Sequence, residues 1–238
     1  MSDEEKKKPR NYLVEALTSL ILVLIISFFW KGSIAPFTLF SLWESHGNVV
    51  EWLSFGWPML LWGVSASCIC ITIDHVFDKN LKTVKDPGTG SVLLGAFLVS
   101  TWAGIAEEIC FRWLIFLNGL WLAKVVSLVF CGLPEWIYLH IMGPIANFAT
   151  LNLMEPLLFH PASWAVGSSI LATNGFFRDG HKYQGLLGYI NSWYIGMFLF
   201  WVAMTHGLLA AIFLHFLYDL LVFSLSYACL KLNGDIRA

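Results

Sequence analysis

Along the chain, long apolar runs alternate with short stretches carrying glycine, proline and charge. The runs approach the roughly 20 residues that a helix needs to cross about 30 Å of hydrocarbon. This pattern predicts an all-α, polytopic integral membrane protein of about seven transmembrane helices, with six and eight as the neighbouring counts. The spans fall at 12–30, 52–76, 91–117, 119–143, 161–177, 186–204 and 207–231, joined by polar or Gly/Pro-bearing segments such as 31–47 and 79–90. They divide the chain into a solvated tail at 1–11, N-terminal spans within 12–90, a core over 91–231 and a C-terminal tail at 232–238. Residues 143–161 mix Asn147, Asn152, Glu155 and His160 with apolar side chains, a pattern that fits an interfacial or re-entrant segment.

Composition strengthens the membrane reading. The 238 residues are 58% hydrophobic and 13% charged, with mean hydropathy +0.69, whereas a soluble domain is about 25% charged. Little length remains for a soluble domain. A net charge of −2 without a long basic block excludes a nucleic-acid binder. The five cysteines, Cys68, Cys70, Cys110, Cys131 and Cys229, form no C-x-x-C pair and are expected as core-facing thiols. The first apolar run is longer than a signal-peptide core and is followed by no convincing cleavage site, so it is expected to be retained. Lys6, Lys7, Lys8 and Arg10 before it, and Lys79, Lys82 and Lys85 after the second span, place both segments on the cytoplasmic side. A multi-pass plasma-membrane protein is expected in preference to one of the endoplasmic reticulum. Trp30, Trp57, Trp121 and Trp193 stand toward span ends, where an amphipathic ring favours the headgroup layer.

The chemistry is expected where ionisable groups interrupt hydrocarbon-length runs. Each such group costs at least about 2.5–3.5 kcal/mol at the centre of a span, so it marks a functional position unless a structural partner accounts for it. In AGIAEEICFRW, Glu108 and Arg112 are four residues apart and share a helical face, which lets the guanidinium neutralise that carboxylate. Glu107 points about 100° away from the pair and suits a general base acting on water. A structural ion pair is the plainer alternative. In FFRDGHKYQG, Phe177 and His181 are four residues apart at a span end, although Arg178, Asp179, His181 and Lys182 also fit a wet loop. In AAIFLHFLYDLL, His215 and Asp219 share one face of a strongly apolar helix. That pair suits metal binding, tautomer control or oxyanion stabilisation, against the alternative of a buried structural pair.

In this order the three elements, Glu107-Glu108-x-x-x-Arg112, Phe177-x-x-x-His181 and His215-x-x-x-Asp219, resemble the signature of the CPBP family (CAAX protease and bacteriocin-processing) of intramembrane proteases. The resemblance covers residues 91–231. A long interval separates the first two elements, and within it Trp136 and His140 form a rival second motif with Trp in the place of Phe. The phenylalanine and the YQG that follows favour His181. The resemblance implies a helical core in which Glu107, His181, His215 and Asp219 meet at a water-accessible polar cavity that hydrolyses a peptide bond. Glu107 with His181 would activate the water, while His215 and Asp219 would stabilise the oxyanion. An ionised Asp219 cannot donate to an oxyanion, so it is either neutral or orients His215. The same four side chains would also supply ligands for a catalytic zinc. The implied partners are the lipid bilayer and a peptide or protein substrate, a lipidated C-terminus among the forms it could take. Bacteriocin self-immunity or membrane scaffolding is the alternative within the family. From another class comes a proton or ion transporter, against which stands the absence of an evident internal repeat.

Overall fold

The computed structural model describes residues 12–29, 33–34, 36–77, 84–85, 88–232 and 236–237. The expected tail at 1–11, with its basic cluster, lies outside them, as do Trp30, Lys79 and Lys82. The described chain is mainly helical, with turns between the helices and two pairings of two-residue strands, Ser33–Ile34 with Phe37–Thr38 and Val84–Lys85 with Ile236–Arg237. In order come α1 (Tyr12–Phe29), α2 (Val49–Phe77), α3 (Thr89–Glu107), a π-helical stretch (Glu108–Ile115), and α4 (Phe116–Val129). After these come α5 (Leu133–Ile137), α6 (Gly143–Ala149), α7 (Glu155–Leu158), α8 (Trp164–Gly180), α9 (Gly185–His206) and α10 (Leu208–Leu232).

Among the described residues four helices are long and apolar enough to cross a membrane: Val49–Ile69, Thr89–Val129, Lys182–His206 and Leu208–Leu232. The second of these corrects the expected boundary between spans 91–117 and 119–143. α3, the π-helical stretch and α4 run as one helix of 41 residues, about 60 Å at ~1.5 Å per residue. Asn118-Gly119 reads as a break, yet Asn118 Nδ2 donates to Leu114 O of its own helix at 2.9 Å. Gly119 serves a close crossing, because a Cβ there would collide with Ser169 of α8. The real break falls inside the expected 119–143 span, where Cys131 and Gly132 adopt left-handed backbone (φ 50° and 85°) and Pro134 opens α5. The expectation of core-facing thiols is corrected in part as well: Cys110 is buried, but Cys68 faces outward from α2 and Cys131 is exposed at that turn.

Packing follows small residues. α10 lies against α2 and α3, α8 against α4 and α9, and α1 against the π-helical stretch. On α2, Gly56 meets Leu214 and Gly63 meets the Tyr218 ring, while Gly104 of α3 faces the α10 backbone at Ile212 and Phe216. Such contacts let helix axes approach closely where hydrophobic exclusion supplies little drive between helices. The outcome for chemistry is that the start of the π-helical stretch, the end of α8 and the middle of α10 converge.

Candidate active site

Glu108 and Arg112 are both wholly enclosed, where an isolated charge of either sign would be expensive. They answer each other, with Arg112 Nη1 3.0 Å from Glu108 Oε1. The far side of the guanidinium is held by α9 and by aromatic faces. Nη2 donates to Gly196 O at 3.4 Å, and the guanidinium carbon lies 4.1 Å from the Phe177 ring centroid and 5.4 Å from that of Phe200. A ring quadrupole thus does for this desolvated cation part of what water would do. Gly196 is required there, since a Cβ would collide with Asn174 Oδ1.

Glu108 Oε1 also meets His215 Nδ1 at 2.7 Å. A carboxylate paired with arginine accepts only, so His215 Nδ1 carries the proton and donates. Its Nε2 then faces Asp219 Oδ2 at 3.6 Å, one helical turn further along α10. With Nδ1 already committed, any hydrogen between Nε2 and Asp219 belongs either to an imidazolium or to a protonated Asp219. At that separation no direct hydrogen bond joins the two, and Glu108 is the group that orients the His215 ring.

Glu107, next in sequence to Glu108, points toward α8. Its Oε2 stands 3.9 Å from His181 Nε2, too far for a direct hydrogen bond. His181 Nδ1 lies 2.8 Å from the Phe177 carbonyl oxygen, which can only accept, so this nitrogen also carries its proton. In the neutral ring the Nε2 lone pair is thereby aimed at Glu107. The Glu107, His181 and Asp219 side chains are about 10%, 17% and 20% exposed, although Glu107 Oε2 itself is buried.

Phe177 is the hub between the two sides. Its ring centroid lies 4.6 Å from that of His181 and 6.1 Å from that of His215, and it packs edge-on against Phe111 at 5.5 Å. Its neighbours Arg178, Asp179 and Lys182 do form a wet cluster, with Lys182 Nζ and Arg178 Nη2 each 2.9 Å from Asp179. His181 alone of that stretch turns inward.

The structure thus brings together Glu107, Glu108, Arg112, Phe177, His181, His215 and Asp219, from three separated parts of the chain. It leaves His140 outside: that residue is exposed and packs on Trp136 at 5.1 Å. The zinc alternative does not fit this arrangement. Among the described residues no group of three or more His, Cys, Asp or Glu side chains is disposed around a common metal position. His215 commits Nδ1 to Glu108 and turns Nε2 to Asp219, while His181 turns Nε2 to Glu107. Two cavities, of about 440 and 290 Å³, are lined by other residues.

Sequence reading missed the supports on α9. Besides Gly196, Asn174 Nδ2 donates to Trp193 O at 2.9 Å, and Asn191 joins Tyr218 (2.9 Å) to Trp62 (2.8 Å) across three helices. Their signal was an uncharged amide inside an apolar run, which a search for ionisable groups passes over. No family model, curated protein or solved structure matches this chain.

Proposed function

We propose that the protein is a membrane-embedded endopeptidase of the CPBP type, hydrolysing a peptide bond near the membrane with a water activated by Glu107 and His181. The observation that carries the reading is the facing of Glu107 Oε2 and His181 Nε2 at 3.9 Å, with His181 Nδ1 fixed on the Phe177 carbonyl. A water held there gives its proton to Glu107 as its oxygen attacks the peptide carbonyl, and Glu107 returns the proton to the leaving amine. A proton on His215 Nε2 or on Asp219 is the donor offered to the developing oxyanion. Glu108 and Arg112 position His215 and do not touch the reacting atoms. Glu107, His181 and Asp219 are the groups through which water and substrate enter.

In this reading the four long helices are joined by α1, α8 and the α5–α6 segment to give seven membrane elements, in a multi-pass protein of the plasma membrane. The substrate is a membrane-associated peptide, a lipidated C-terminus included. The test is proteolysis of a panel of membrane-associated peptides by purified protein in detergent, comparing wild type with Glu107→Gln, with and without a zinc chelator. Cleavage that is lost in the variant and indifferent to chelator supports the reading. Chelator-sensitive cleavage transfers the chemistry to a metal, and no cleavage of any peptide removes the protease assignment.

A further inference from the structure

Away from the polar cluster, α2, α9 and the loop at 149–154 enclose the cavity of about 440 Å³, within the roughly 300–1,000 Å³ of small-molecule sites. Pro58, Met59 and Trp62 form one wall, and Met197 and Trp201 another. The polar atoms at its edge are already engaged. Trp62 Nε1 donates to Asn191 Oδ1 at 2.8 Å, Thr150 Oγ1 to Ala146 O at 3.0 Å, and Tyr194 OH to Ala149 O at 3.3 Å. These groups have no donor hydrogen left for a ligand, and a cavity lined mainly by apolar side chains favours an apolar occupant over water. Left empty, it would forfeit dispersion contacts along its whole lining.

Both helical walls belong to segments long and apolar enough to cross a membrane, so the medium at the opening is hydrocarbon. The third wall is built in place: Leu151 and Asn152 hold left-handed backbone (φ 54° and 63°), and Asn152 N donates to Asn147 O at 2.8 Å. We propose that this cavity holds one acyl chain of a bilayer phospholipid. The proposal rests on the membrane reading of the chain and is independent of peptide hydrolysis. It also touches the site, because Ile195 and Met197 line the cavity while Gly196 between them gives its carbonyl to Arg112. A chain seated there steadies the turn of α9 on which the buried cation leans.

The experiment uses full-length protein in phosphatidylcholine nanodiscs doped with a phosphatidylcholine carrying a diazirine in its acyl chain. After irradiation, attachment is mapped by mass spectrometry at residues 58–62 and 194–201 and compared with Leu94 and Leu98, which face outward on α3. Wild type is expected to be labelled at both places, with the cavity label resisting dilution by unlabelled lipid longer than the α3 label. Ala149→Trp, which fills the cavity from its wall, is expected to lose the cavity label and keep the other. The dilution comparison on wild type stands on its own if that variant does not fold. Label confined to the α3 face overturns the proposal and leaves membrane insertion intact. Cavity label that dilutes as fast as the α3 label, or that survives in a folded Ala149→Trp, also overturns it. Label on neither surface overturns both.

Discussion

Two halves of one polar cluster, supplied by neighbouring residues of the same helix, are built in opposite ways. Around Glu108 everything is closed: Arg112 and His215 stand at 3.0 and 2.7 Å, and neither Glu108 nor Arg112 is exposed at all. Around Glu107 the geometry is looser, with His181 at 3.9 Å and the two side chains 10% and 17% exposed. Adjacent residues on a helix cannot face the same way, so the Glu-Glu pair separates a carboxylate held by Arg112 and His215 from one turned toward His181. Closure fixes the orientation of His215, and in the proposed reaction the looser side beside Glu107 is where the water is activated.

The sharpest way to break this division is Glu107→Gln. It is expected to lower cleavage about 10²–10⁴-fold, the usual contribution of a general base, while leaving the unfolding midpoint in detergent near wild type. A midpoint loss as large as that of an Arg112 variant would show that Glu107 also holds the fold. Next comes Arg112→Ala, which strands Glu108 in a dry site and is expected to destabilise by about 3–5 kcal/mol in denaturant unfolding. Phe177→Leu touches both halves at once. It keeps an apolar side chain but removes the face that meets the guanidinium, an expected loss of about 0.5–2 kcal/mol, accompanied by reduced kcat as His181 loses its support. The smallest effect is expected from His140→Ala, within about 0.5 kcal/mol in stability and unchanged in cleavage. The matching His181→Ala should remove cleavage, and the reverse ranking would move the second motif to the segment after α5.

The helical membrane class was legible because an uninterrupted apolar run has few other uses, and Glu107, Glu108, Arg112, His215 and Asp219 because each interrupts such a run with an ionisable group, while Phe177 and His181 were singled out only by the motif resemblance. The borders of the spans were less legible. Asn118 and Gly119 carry the letters of a turn, but the amide is satisfied one turn back and the missing Cβ makes room for Ser169. Both facts depend on a neighbour that the local sequence does not announce. At Cys131 the opposite happened, since a left-handed cysteine leaves no compositional trace beyond the Gly132 and Pro134 that follow. Within the site, spacing paired Glu108 with Arg112 correctly, whereas the bond from Glu108 to His215 joins distant parts of the chain and required the fold. Phe177 was visible as a motif letter, but its place between three charged or titratable groups was not.

That Glu108 and Arg112 sit on one helix, a single turn apart, bears on how the chain enters a bilayer during synthesis. Two separate charges would each add about 2.5–3.5 kcal/mol to the insertion of that segment. Paired within the segment, they can cross the translocation machinery as a neutral unit before α8, α9 and α10 exist to receive them. His215 arrives only with α10, the last of the four long helices to be made. The oriented imidazole therefore cannot form until α10 has been made, and a nascent, half-inserted protein carries its carboxylates without His215.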